Sequence, residues 1–190
     1  MAIVLASQSP RRQELLARIG VEDFKTLSLD IDESYPEGLS PEDTVRYIAK
    51  KKCDAAAALC ASGDLIITAD TMVFLGNDRL GKPRDEEDAL RMLRELAGRA
   101  HTVCTGVSVR RGAQEERFAV STRVFFRPMT DDEIRAYIKT GEPMDKAGAY
   151  GVQSRGALFV ERIDGDFFNV MGLPVEQLGL VLARFGVKLL

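Results

Sequence analysis

Ile3-Val4-Leu5-Ala6-Ser7-Gln8-Ser9-Pro10-Arg11-Arg12-Gln13-Glu14-Leu15-Leu16 is the stretch that decides the fold. Its four leading apolar residues predict a short buried strand. The amphipathic run from Glu14, stopped by Gly20, predicts a helix. Between them Ser9 takes the N-cap and Pro10 the first helical position. Arg11 and Arg12 then fall in the first turn, where free amides and the helix dipole already favour anions and cations are out of place. A local rule broken in this way points to function. Backbone amides, the hydroxyls of Ser7 and Ser9, and two guanidinium forks suit a phosphate-binding site. The competing reading is a solvated arginine pair after an ordinary capped turn.

Outward from this strand and helix, the two kinds of signal alternate, which defines an α/β chain. Phe24 to Leu29 alternates with period two and predicts a strand, followed by the acidic loop Asp30-Ile31-Asp32-Glu33. Ser40-Pro41-Glu42-Asp43 opens a long helix running to about Ala61. Leu65 to Ala69 reads as a buried strand ending at Asp70-Thr71. Asn77-Asp78 marks a turn between short strands. Gly81-Lys82-Pro83 leads into a helix opened by Asp85 and closed by Gly98. His101 to Val109 and Glu116 to Phe126 read as paired strands, and Thr130 with Glu133 forms a capping box. An irregular glycine-rich stretch from Gly141 to Gly156 precedes a strand at Ala157 to Ile163 and a final helix at Pro174 to Phe185. The expected fold is a mixed sheet with helices packed around it, in a single domain over residues 1–190.

Composition narrows the function. Of 190 residues, 45% are hydrophobic and 29% charged, ordinary for a globular protein, and the net charge of −3 argues against an extended nucleic-acid partner. The N-terminal apolar run is far short of a membrane span. Three cysteines, Cys53, Cys60 and Cys104, without Cys-x-x-Cys spacing or a signal peptide, fit a reducing cytoplasm. The one histidine, His101, opens a strand and reads as structural, so acid–base chemistry falls to carboxylates and lysines.

Further positions are candidates. Lys52 lies four after Ile48 and seven after Val45, on the apolar face Val45-Ile48-Ala49-Ala56-Leu59, where a lysine either snorkels or meets an anion. Asp70 ends an apolar strand, a position suited to a divalent cation or to a water, or to an Asx turn. Lys82 sits in a turn with its ammonium free to reach a phosphate, and Glu33 belongs to an acidic cluster able to supply a metal carboxylate. In the long segment from Gly141, Gln153 has an amide able to read a base edge, and Lys146 and Tyr150 are placed to complete a pocket; alternatively the glycines serve only to turn the chain. No P-loop and no dinucleotide fingerprint are present. A basic cluster with carboxylates and no histidine base suits metal-assisted attack of water on a phosphoanhydride.

Taken together, Leu5-Ala-Ser-Gln-Ser-Pro-Arg-Arg-Gln-Glu-Leu-Leu16, Ala69-Asp-Thr71, Gly81-Lys-Pro83, the run from Gly141 to Gln153 and Asn169-Val-Met-Gly-Leu-Pro174 resemble the Maf family of nucleoside triphosphate pyrophosphatases. The resemblance spans nearly the whole chain. It implies an elongated mixed sheet with two lobes and a central cleft, related to the inosine triphosphatase fold. It implies release of pyrophosphate with Mg2+ or Mn2+ as the divalent metal, a cytoplasmic homodimer, and a link to septum formation. By the family pattern, Ser7, Arg12, Lys52 and Lys82 contact phosphate, while Glu33 and Asp70 handle metal or water. Arg11, Thr71 and Gln153 resemble the subgroup acting on dTTP and UTP rather than on 7-methyl-GTP or inosine triphosphate. Ser154 stands where that subgroup usually has glycine, and Phe167-Phe168 replaces a more polar aromatic pair. A regulatory nucleotide-binding protein with incidental hydrolysis is the rival from a different class.

Overall fold

The computed structural model describes residues 2–190. In it β1 (Ile3–Leu5) pairs in parallel with β2 (Phe24–Thr26) on one side and β3 (Leu65–Leu75) on the other, Leu5 opposite both Thr26 and Ile67. The remaining strands are β4 (Asp78–Leu80), β5 (Ala100–Arg111), β6 (Gln114–Phe126) and β7 (Val160–Asp164). Their order is β2-β1-β3-β5-β6-β7, with β4 on β3. Pairing is antiparallel for β3 with β4 and for β6 with β7, so the sheet is mixed, as expected. The helices are α1 (Pro10–Arg18), α2 (Pro41–Ala57), α3 (Glu86–Leu96), α4 (Asp131–Ile138), α5 (Phe167–Met171) and α6 (Val175–Arg184).

The chain divides into two compact units. The first takes the chain up to Asp70 together with Thr105–Val120 and Gly172–Leu190; the second takes Thr71–Cys104 and Ser121–Met171. In the first, Leu5, Leu15, Leu16, Ile48, Leu65 and Ile67 are fully buried. Helix α2 lies directly on β5 there, because Gly106 has no side chain: a Cβ at that position would stand 2.3 Å from the Val45 carbonyl carbon. In the second unit, Phe126, Tyr150 and His101 pack edge to face, with ring centroids 4.7–5.4 Å apart.

Several expected boundaries move. Strand β3 does not end at Asp70 but continues to Leu75, because β4 extends the pairing at Val73, Phe74 and Leu75. Helix α2 stops at Ala57 rather than near Ala61, which leaves Leu59 exposed instead of on the apolar face. Only Phe24–Thr26 of the second strand pair in the sheet, and residues 157–159 belong to a 3-10 turn that precedes β7. The irregular segment after Gly141 is built from three such turns, Glu142–Asp145, Ala147–Ala149 and Arg155–Phe159. Tyr150 is a core residue, not a pocket residue: its hydroxyl meets His101 Nε2 at 2.8 Å within the aromatic cluster. The short helix α5, only five residues long, has no periodic signature in the sequence.

Two outcomes follow for stability. Gly106→Ala forces the α2 backbone off the sheet and costs about 3 kcal/mol or more, measured by urea unfolding. Burial pushes the His101 imidazole down to about 4, so it folds neutral, whereas in the unfolded chain it titrates near the ordinary 6.5. The unfolded state therefore takes up the proton first as pH falls. Stability declines from about pH 6.5 to about pH 4, by on the order of 3 kcal/mol, and this component is missing in His101→Gln.

Candidate active site

Strand β1 ends at Leu5, and the chain turns at once, with Ser7 N donating to Leu5 O at 3.0 Å. Leu27 N donates to the same carbonyl at 3.0 Å. Ser7 through Arg12 thus follows the carboxyl end of a parallel strand, where α/β folds place ligands. Ser9 is the N-cap of α1, yet its side chain makes no capping hydrogen bond, and no acidic residue occupies the first turn. The expected placement of Arg11 and Arg12 holds. Arg12 is fastened by Nε to Gly172 O at 2.8 Å and by Nη1 to Ser7 Oγ at 3.3 Å. Burial pushes its pKa below the ordinary value, Asp70 and Glu33 oppose that shift, and neighbouring Arg11 adds to it. The guanidinium remains a cation.

Asp70 lies three residues past Ile67, the last β3 residue paired to β1, so it stands beyond the end of β1 rather than at the end of its own strand. Period two puts it on the face of Thr68, whose hydroxyl donates to Ala49 O of α2 at 2.7 Å. Lys52 follows Ala49 by one helical turn on the inward side of α2. Its ammonium lies 2.7 Å from Asp70 Oδ1 and 2.9 Å from Glu33 Oε1. The Asp70 side chain is 8% exposed and that of Lys52 13%, against 55% for Glu33. Lys52 has met its anion, and the anion is a pair of carboxylates. The acidic loop is divided by neighbouring lysines of α2: Glu33 goes to Lys52 and Asp32 to Lys51. Hydrogen bonds from Ser34 and Lys51 hold Asp32 down to about 2.

The second oxygen of Asp70, Oδ2, is buried and has no hydrogen-bond partner among the described residues. A buried carboxylate oxygen left unsatisfied is costly unless something binds it. Together with Glu33 it makes a hard, anionic donor set that fits Mg2+ or Mn2+. No group of three or more His, Cys, Asp or Glu residues among the described residues is arranged to hold a metal alone. Such an ion would complete its shell with water and phosphate oxygens, as magnesium commonly does.

Lys82, Thr71 and Gln153 belong to the second unit. Lys82 and Gln153 are exposed and Thr71 is half-buried within β3, adjoining Asp70 in the chain. Gly81 O accepts from Gly148 N at 3.0 Å, which ties the Lys82 turn to the segment after Gly141. Lys146 donates to Glu142 O and to Asp145 Oδ1, both at 2.7 Å. Two contributors had not been singled out by residue chemistry: the Gly172 carbonyl, which acts through its backbone alone, and Glu142, which gathers the turn around Gln153.

The profile of the Maf-like protein family matches residues 2–185, and the chain belongs to the Maf family. A dTTP/UTP pyrophosphatase of Bacillus velezensis is 46% identical over 187 residues, 98% of this chain and 97% of its own. One from Dictyoglomus turgidum is 47% identical over 191 residues, 99% and 98% of the two chains. Among solved structures, the Ham1 protein of Staphylococcus aureus aligns with a TM-score of 0.55 at 14% identity, covering 97% of this chain and 100% of its own. The HAM1 protein of Coxiella burnetii gives 0.54 at 12%, covering 97% and 99%. These two share the fold.

Removing Lys52 strands a buried carboxylate, so Lys52→Met lowers stability by about 3–5 kcal/mol in urea unfolding. Millimolar Mn2+ recovers part of that loss through Asp70 and Glu33. The recovery is absent in the Lys52→Met/Asp70→Asn double variant, a readout independent of turnover.

Proposed function

We propose that this chain is a nucleoside triphosphate pyrophosphatase acting on dTTP, UTP and related or modified pyrimidine nucleotides. The observation that carries the reading is the Lys52–Asp70–Glu33 cluster, with Arg12 under its field, just beyond the end of β1. Near full-length identity of 46–47% to proteins named dTTP/UTP pyrophosphatase supports it. A pure phosphate binder has no electrostatic use for two carboxylates beside its anion. A hydrolase does, because water must be held and charge must be handled at the phosphorus.

At rest two cations, Arg12 and Lys52, face two carboxylates, Asp70 and Glu33, and the cluster neutralises itself. Glu33 and Asp70 would hold a divalent metal, which would supply Lewis-acid polarisation of the α-phosphate. The Lys52 ammonium, on the inward side of α2, can turn from these carboxylates to phosphate oxygens of the substrate. Arg12, preset by Gly172 and Ser7, needs little ordering to grip the triphosphate. Ser7 and Lys82 are assigned further phosphate contacts. Asp70 orients the water whose oxygen attacks the α-phosphorus and accepts the proton that this water gives up. The bond from that phosphorus to the bridging oxygen breaks, and pyrophosphate leaves with its charge countered by the same cations. Arg11, Thr71 and Gln153 are assigned to the base, with Gln153 offering one donor and one acceptor to a pyrimidine carbonyl and N–H. A homodimer in the cytoplasm completes the proposal.

A panel of nucleoside triphosphates with Mg2+, scored for pyrophosphate against phosphate, tests it. The expected product is pyrophosphate, and dTTP and UTP exceed ATP and GTP by roughly tenfold or more in kcat/KM, since 1.4 kcal/mol is about a factor of ten. Gln153→Ala erodes that ranking, whereas Arg12→Ala weakens all four alike. Asp70→Asn folds and loses at least about a hundredfold in turnover. Release of single phosphates would sink the pyrophosphatase reading, and near-normal turnover of folded Asp70→Asn would favour a regulatory nucleotide binder.

A further inference from the structure

We propose that Glu142 is a positioning residue for Gln153: it fixes the turn that carries Gln153 and so maintains the preference for pyrimidines. This rests on the base-reading role given to Gln153 above. The segment from Gly151 to Gly156 closes on itself. A Cβ on Gly156 would stand 2.6 Å from Gly151 O and 2.8 Å from Tyr137 Oη, and one on Gly151 would stand 2.8 Å from Lys146 Cε. At Gly156, where the neighbour is backbone, only a glycine permits this approach. Gln153 lies within the resulting loop and is exposed.

The Glu142 carboxylate fastens that loop directly after Gln153 and, through the Tyr137 hydroxyl, before it. Its Oε1 accepts from Ser154 Oγ at 2.6 Å and from Gly156 N at 3.2 Å, and its Oε2 accepts from Arg155 N at 3.3 Å. Oε1 also accepts from Tyr137 Oη at 2.7 Å, and that hydroxyl oxygen in turn accepts from Gly151 N at 3.1 Å. Burial alone would raise the Glu142 carboxyl, but these hydrogen bonds outweigh it and hold it below the usual range. Glu142 is itself set by Gly141 in the left-handed region, with φ of 74°, and by Pro143 after it. Lys146 Nζ donates to its carbonyl. The loop's polar groups are thus spent inward on one carboxylate. A side chain that reads a base by hydrogen bonds discriminates only when its backbone is held in place. Glu142 supplies that constraint and needs no contact with the nucleotide.

The test is a double-mutant cycle on the kcat/KM ratio of dTTP to dGTP. Glu142→Ala lowers the ratio by roughly tenfold and Ser154→Ala, which removes one bond, by about threefold. The Gln153→Ala/Glu142→Ala double variant is no less selective than Gln153→Ala alone, because Glu142 acts through Gln153. Amide hydrogen exchange of the same proteins shows faster exchange at Gly151, Arg155 and Gly156 in Glu142→Ala, with β5 unchanged. A folded Glu142→Ala with an unaltered ratio, or a double variant whose losses multiply, overturns the inference. Should Glu142→Ala not fold, the ratio for Ser154→Ala decides in the same way. A wild-type protein without preference removes the base-reading role itself, and the inference with it. That result comes from the wild type alone, before any variant is made.

Discussion

One lysine ammonium held between two carboxylates is the interaction on which the candidate site depends. Lys52 reaches Asp70 and Glu33 only because α2 lies close on the sheet, and α2 lies close because Gly106 leaves room for its backbone. The pair with Asp70 is mostly withdrawn from water, where a lone charge is expensive and a matched one is tolerated. The cluster is therefore poised rather than idle. Each charge already has a counter-charge, and a ligand that brings both a cation and an anion can exchange partners without exposing any of them.

The same economy appears in the second unit with the roles divided differently. There the glycine-rich segment buries Ala149, Tyr150 and Val152, while Glu142 and Tyr137 take up polar groups of its last turn. Beside it the His101–Phe126–Tyr150 cluster supplies the apolar support, with the imidazole held neutral by burial. A segment without regular secondary structure can be fixed in this way by hydrogen bonds to a single carboxylate, provided that glycines let its backbone approach.

Much of this was legible in the sequence, for physical reasons. Periodicity and caps gave the strand–helix alternation, and helical spacing put Lys52 on the inward face of α2. The first turn of α1 betrayed itself by carrying cations where anions belong. What could not be read depended on partners distant in sequence. Asp70 looked like a strand end because the apolar run stops there, whereas pairing with β4 carries the strand to Leu75. Leu59 fitted the helical pattern, but α2 ends before reaching it. Tyr150 looked polar enough for a pocket until His101 supplied its hydroxyl with a buried partner. The carbonyl of Gly172 has no side-chain signature at all, and the resemblance of Asn169–Pro174 to a family motif marked the place without giving the role.

The bond from Arg12 to Gly172 spans 160 positions of chain. During synthesis the first seventy residues leave the ribosome early, but the unit they belong to also needs Thr105–Val120 and everything from Gly172 onward. Its strands and helices therefore wait for their last partner while the other unit, drawn from the intervening chain, can already collapse. Long-range closure of this kind is slow relative to local folding and leaves apolar surface open for longer. Arg12 acquires its fixed orientation only when the chain is nearly finished, so in a nascent or truncated copy this guanidinium lacks the carbonyl that sets it.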